Sequence, residues 1–197
     1  MIHVEEFINS IFTSKTYILY KEGVSSAWMV DVGDISPVLD FLQKNHLTVE
    51  GVFITHGHFD HTYGLLDLID RFPQCKVYVT EFTKNALASS KLNLSRYHDA
   101  PFVYQKDNVV VVHERDSLQI FDEEPAICFY ETPGHNPGCL TMVLGNLVFT
   151  GDAFIPGIGV NTQLPYADKQ QAQLSAVRIL EIARDKIILS GHQINTV

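Results

Sequence analysis

The heptad THGHFDH, residues 55–61, concentrates ligand chemistry: His56, His58 and His61, three of the protein's nine histidines, fall within six positions, and Asp60 precedes the last. His56 and His58 are two apart, so an extended segment points both rings the same way. Asp60 and His61 lie past the alternation and can face a second centre. The residues before them, VFIT, form a short apolar run of the kind that makes a buried strand.

The same arrangement recurs along the chain. CFYETPGH leads to His135, LVFTGD to Asp152 and IILSGH to His192. Each is an apolar strand that ends in a glycine-containing turn and a metal-competent side chain. Gly57, Gly134, Gly151 and Gly191 adjoin the donors and allow tight turns. Sites in α/β proteins collect beyond strand ends, so seven donors on four such ends define one dense site. Neutral imidazole and carboxylate suit zinc, with manganese and iron(II) as alternatives. One tetrahedral zinc cannot use seven ligands. Two ions about 3.5–4 Å apart, sharing a carboxylate, can. His3, His46, His98 and His113 have no such company and read as structural.

Strands and helices alternate twice. β-rich runs from Phe7 to Asp34 contain a Gly turn; SPVLDFLQKNH reads as a helix capped by Ser36 with Pro37 in its first turn. TYGLLDLIDRF and EFTKNALASSK read as helices, KVYVT as a strand, and NVVVVHE, SLQIF, AICFYE, LTMVL and NLVFT as strands. Gly145-Asn146 marks a hairpin turn. KQQAQLSAVRILEIARD is the clearest helix, and KIILSGH a final buried strand. This order predicts an α/β fold of two packed sheets with helices outside, a four-layer sandwich formed by residues 1–197 as one domain. Residues 91–108 carry Arg96 and Lys106 and read as a lid or an ordinary surface connection.

Composition narrows the function. Hydrophobic residues make up 46% and charged residues 19%, as in a globular protein. A net charge of −9 disfavours a nucleic-acid partner. Cys75, Cys128 and Cys139 lack CxxC spacing and read as buried free thiols in a reducing compartment. No export leader is legible in MIHVEEFINSIF and no apolar run could span a bilayer. A cytoplasmic location without a membrane partner is expected.

From about Phe7 to His192 the sequence resembles the metallo-β-lactamase fold superfamily of metallohydrolases. The resemblance rests on VDVG (30–33), THGHFDH (55–61), TPGHNPG (132–138), FTGD (149–152) and SGH (190–192). It implies an αββα sandwich and two zinc ions. His56, His58 and His135 would hold the first, Asp60, His61 and His192 the second, and Asp152 would bridge them. Asp31 would support the site from behind. A bridging hydroxide would attack a small-molecule acyl substrate, a thioester or a related ester or lactone, and Asp60 would orient it or relay its proton. No convincing separate acid is legible; Tyr63, Tyr166 and His98 are candidates, but each reads first as structural. β-Lactamases of this fold lack an aspartate at the position of Asp152, and acyl-homoserine lactonases carry Tyr where Ile155 stands. The central segment TPGHNPGCLTMVLGNLVFTGDAF is most similar to glyoxalase II-like (hydroxyacylglutathione hydrolase-like) enzymes. Departures are Val160 in place of an Arg that small members carry, and the lack of the C-terminal glutathione-binding domain after His192. Persulfide dioxygenases of the same fold are the alternative, with one iron on the equivalents of His56, His135 and Asp152.

Overall fold

In the computed structural model, which describes residues 1–193, the strands pair into two sheets. The first contains, in spatial order, β1 (Ile2–Ile8), β2 (Lys15–Lys21), β3 (Ser26–Val30), β4 (Thr48–Phe53), β5 (Lys76–Val79) and β6 (Val109–Val111). β1, β2 and β3 are antiparallel neighbours, whereas β3 through β6 are parallel. Parallel neighbours need crossovers, supplied here by α1 (Ile35–Lys44), α2 (Leu65–Arg71) and α3 (Glu81–Leu87). The second sheet contains β7 (Ser117–Leu118), β8 (Ile127–Glu131), β9 (Leu140–Leu144), β10 (Leu147–Gly151) and β11 (Ile187–Ser190), in the spatial order β11-β10-β9-β8-β7. Only its β10–β11 pair is parallel, and α4 (Lys169–Ile182) makes that crossover.

The period-two side-chain alternation explains the layers. On β2 and β3, Tyr17, Leu19, Trp28 and Val30 face the second sheet and meet Phe129, Leu140, Met142 and Phe149. The intervening Ile18, Ala27 and Met29 face the other way, onto Val38 and Leu42 of α1 and Leu65 and Leu68 of α2. On the far side of the second sheet, Ile179 of α4 packs with Cys139 and Ala153. The layers are therefore helix, sheet, sheet, helix, as the strand order predicts.

Two details differ from the sequence reading. β1 begins at Ile2, ahead of the expected strands. α1 begins at Ile35, so Ser36 is not its cap; Asp34 holds that position without a local capping bond. Its carboxylate accepts instead from Ser10 N (2.7 Å), Ser10 Oγ (2.9 Å) and Tyr63 Oη (2.7 Å). Tertiary partners win over the local cap. At α3 and α4 the local rule holds: Thr80 accepts from Thr83 N and Asp168 from Gln171 N. The Gly145 turn joins β9 to β10 as expected, with φ +59°. No helix among the described residues is long and apolar enough to cross a membrane.

Phe53 is the hinge between the sheets. It is fully buried, stacks on Trp28 with ring centroids 5.4 Å apart, and contacts Tyr78 and Phe129. Phe53→Ala is expected to cost about 3–5 kcal/mol in denaturant unfolding; a loss under ~1 kcal/mol would contradict this placement.

Candidate metal centre

All seven donors sit beyond C-terminal strand ends on one rim of the sandwich. His56 follows β4, His135 follows β8, Asp152 follows β10 and His192 follows β11. His58, Asp60 and His61 lie on the turn after β4, with Phe59–His61 forming one turn of 3₁₀ helix. Gly191 makes the convergence possible: a Cβ there would collide with the Asp152 carboxylate, the Gly151 backbone and the His61 ring.

The donor atoms form three overlapping groups, each within 4.8 Å: His56, His58 and His135; His56, His61 and Asp152; and Asp60, His61 and His192. In the first, His58 Nδ1 lies 3.1 Å from His56 Nε2 and 3.0 Å from His135 Nε2. In the third, Asp60 Oδ2 lies 3.4 Å from His61 Nε2 and 3.3 Å from His192 Nε2. Asp152 reaches both ends. Its Oδ2 is 3.5 Å from His135 Nε2 and 3.2 Å from His192 Nε2, and its Oδ1 is 3.4 Å from His61 Nε2. That Oδ1 is buried without a hydrogen-bond partner. Imidazole lone pairs aimed at one another and a buried carboxylate oxygen lacking a donor are what a cation would satisfy.

The other ring nitrogens are tethered, which fixes the ring orientations. Asp31, fully buried at the end of β3 with φ +55°, accepts from Thr55 N (2.7 Å), Thr55 Oγ1 (2.7 Å) and His61 Nδ1 (2.8 Å). Thr55 Oγ1 in turn sits 3.2 Å from His56 Nδ1. One carboxylate thus orients imidazoles in both triads. His135 Nδ1 donates to the Asn161 carbonyl (2.9 Å) and His192 Nδ1 to the Phe12 carbonyl (2.8 Å). His58 Nε2 lies 3.2 Å from the Asn136 amide nitrogen. Ser14 Oγ donates to the Asp60 carbonyl (2.6 Å) and is itself held by Asn9 Nδ2 (3.1 Å).

The two halves carry different charge. Burial, then neighbouring imidazoles, hold His56 well below the usual histidine range and His58 at about 3, so both are neutral. Burial also opposes charge on His61, but Asp60, Asp152 and Asp31 outweigh it and raise His61 well above its ordinary value. For His192, burial is outweighed by hydrogen bonds to Asp152 and Asp60, which lift it to about 10. Burial likewise opposes charge on Asp60 and Asp152, yet chiefly the His61 charge pulls both below the carboxylate range. Asp31 moves the other way: burial raises it, against the pull of His61.

A cavity of about 770 Å³ opens over the donors and reaches His58, Asp60, His135, Asp152 and His192. His98, read in the sequence as structural or as a candidate acid, lines it and stacks on Phe59 with centroids 4.3 Å apart. Tyr63 does not line it; its hydroxyl is given to Asp34. Tyr166 does not line it either and packs edge-on against Phe82. Segment 91–108 is pinned by its own hydrogen bonds, from Asn93 Nδ2 and Ser95 Oγ to the Phe102 carbonyl. Its Leu94, Tyr97 and His98 form part of the cavity wall. His3 stacks on Tyr20, away from the donors. The three cysteines are free, with Cys75 and Cys139 buried.

A two-sheet sandwich with a histidine–aspartate cluster on one rim defines a class of fold, and sequence comparison places the chain within it. The metallo-beta-lactamase superfamily profile matches residues 17–192, and the chain belongs to that family. It is 28% identical over 151 residues to hydroxyacylglutathione hydrolase 1 of Vibrio vulnificus, covering 76% of this chain and 51% of that protein. It is 26% identical over 176 residues to the hydroxyacylglutathione hydrolase of Tolumonas auensis, covering 89% and 60%. The chain thus spans half to three-fifths of these relatives' lengths. Among solved structures, the BLEG-1 B3 metallo-beta-lactamase superposes with a TM-score of 0.86 at 26% identity, covering 98% of this chain and 92% of that one.

Asp31→Asn would put an amide N–H where a buried donor now finds an acceptor. It is expected to cost about 2–3 kcal/mol of stability in urea unfolding of metal-free protein; an unchanged midpoint would show that Asp31 does not organise the site.

Proposed function

We propose that the chain is a metal-dependent hydrolase that holds two metal ions, zinc by preference, and cleaves a thioester or a related acyl ester bond. His56, His58 and His135 hold one ion, Asp60, His61 and His192 the other, and Asp152 spans both. The observation that carries this reading is the position of Asp152. Its carboxylate lies within 3.5 Å of ring nitrogens from both triads. A second complete triad favours the two-metal hydrolase over the one-iron dioxygenase, which uses only His56, His135 and Asp152. The hydroxyacylglutathione hydrolase relatives support the same choice.

When bound, such a metal pair supplies Lewis acidity and makes water a nucleophile near neutral pH. The protein does the rest. Asp31 and the backbone carbonyls of Asn161 and Phe12 hold the rings so that Nε2 of His61, His135 and His192 faces inward. Asp60, at the cavity floor and held well below the carboxylate range, accepts a hydrogen bond from the attacking water and orients it. The one imidazole in the cavity outside the donor set, His98, is stacked on Phe59. A thiolate, with a conjugate acid of pKa about 8.5, leaves without a strong acid, whereas an amide nitrogen does not. Among the described residues the non-ligand acids lining the cavity are the stacked His98 and the exposed Tyr97 phenol, which suits a thioester better than an amide.

His58→Ala is expected to lower kcat/KM of zinc-loaded protein on thioesters by at least ~100-fold with little change in melting temperature. A variant that binds two ions and keeps wild-type turnover would refute the reading. The test panel includes S-lactoylglutathione, an N-acetylcysteamine thioester and a β-lactam.

The charge asymmetry gives a pH prediction. A ligating imidazole must be neutral. His56 and His58 are already neutral at pH 7, whereas His61 and His192, raised above their ordinary values, carry protons that metal must displace. The His61–His192 position therefore weakens as pH falls and releases up to about two protons on loading. Titration calorimetry at pH 7 in buffers of different ionisation heat is expected to show that release with the second equivalent; equal release for both would contradict the assignment.

A further inference from the structure

The cavity over the metal centre has walls unlike its floor. The floor holds the imidazoles of His58, His135 and His192 and the carboxylates of Asp60 and Asp152. The walls are largely apolar, with Phe12, Leu94, Tyr97, Ile155, Ile158 and Leu164 among them. No lysine or arginine is found among the described residues that line the space. Neither Arg96 nor Lys106 of segment 91–108 lines it, although Arg96 flanks the wall residue Tyr97. Arg96 is exposed and holds its guanidinium over the Tyr97 ring, 5.7 Å from the centroid. Lys106 pairs with Asp70 at 3.5 Å and borders a separate cleft. The uncharged polar side chains on the wall, such as Thr13 and Gln193, can meet an amide or a carbonyl but do not neutralise a carboxylate.

Phe12, Tyr97 and Ile158 stand at the mouth with 65%, 69% and 46% of their surface exposed. Phe12 is held there by a left-handed backbone (φ +53°), and its carbonyl accepts from His192. Apolar side chains fixed around a pocket gain by covering them with another apolar group. A carboxylate placed among them would lose its hydration without finding a partner.

Resting on the hydrolase reading above, we infer that the site takes an acyl thioester with a medium-length apolar acyl chain on an uncharged thiol, and discriminates against glutathione thioesters, whose thiol carries two carboxylates. In the cleavage, a water oxygen bonds to the acyl carbon and the C–S bond breaks with its electron pair on sulfur. One water proton ends on the thiol, leaving a carboxylic acid and a neutral thiol.

The test compares zinc-loaded full chain on S-octanoyl- and S-acetyl-N-acetylcysteamine, S-octanoylglutathione and S-lactoylglutathione. Octanoyl is expected to exceed acetyl by at least about tenfold in kcat/KM, because each buried methylene adds affinity. The N-acetylcysteamine thioester is expected to exceed its glutathione counterpart, mainly through KM. Ile158→Arg places a cation at the mouth and is expected to shift that ratio towards glutathione by about tenfold. A flat chain-length series, or preference for either glutathione thioester, overturns the inference while leaving the hydrolase reading intact. A second measurement needs no turnover: displacement of the neutral fluorophore N-phenyl-1-naphthylamine. Displacement by S-octanoyl-N-acetylcysteamine at lower concentration than by S-octanoylglutathione supports the inference even if no thioester is cleaved, an outcome that sinks only the hydrolase reading. The reverse order overturns it.

Discussion

A fully buried carboxylate, Asp31, links the two donor triads. It sits where parallel strands β3 and β4 end side by side, so its acceptors meet both Thr55 and His61. Through Thr55 it reaches His56, and directly it reaches His61, so imidazoles from both triads take their orientation from one group. A charge this deep costs stability unless it is paired and hydrogen-bonded. Here three donors and the His61 charge offset part of that cost. The arrangement requires β3 and β4 in register and a left-handed backbone at residue 31, and these in turn need the two-sheet core around Phe53. Site geometry and core packing are thus one problem.

The donors were legible before the fold because their signal is local. HxHxDH on a strand-end turn, and single donors after three further apolar strands, announce themselves through spacing and residue type. Their tethers were not. Phe12 and His192 are 180 positions apart, and a backbone carbonyl carries no side-chain signature. Asn9 and Ser14 support Asp60 from NSIFTS, a stretch that reads in sequence as part of the β-rich run but forms a turn between β1 and β2. The position of His98 at the cavity was not legible for a similar reason. It stacks on Phe59, 39 positions away, and lies in a segment with no periodicity to indicate which way it faces.

Layer order was readable because strands and helices alternate twice along the chain; which face of β2 and β3 meets which layer was not, because Tyr17, Ile18, Leu19, Trp28 and Met29 are apolar on both faces. Helix limits were also harder to read. Ser36 has the right chemistry for a cap, but Asp34 is anchored by Ser10 and Tyr63, and three tertiary bonds outweigh one local bond. The cavity joins these strands of the account. A polar, cation-demanding floor comes from strand ends, and apolar walls come from the loops at 12–13, 94–98 and 155–165. Floor and walls answer different questions: the floor which reaction, the walls which substrate.

The central claim is that one rim holds two metal ions bridged by Asp152. Elemental analysis of protein expressed with both zinc and iron available, and purified without chelator, tests it most directly. The account predicts two metal ions per chain, zinc foremost, falling to one or none in Asp152→Ala. A single iron per chain, retained when His61 and His192 are replaced, would contradict it.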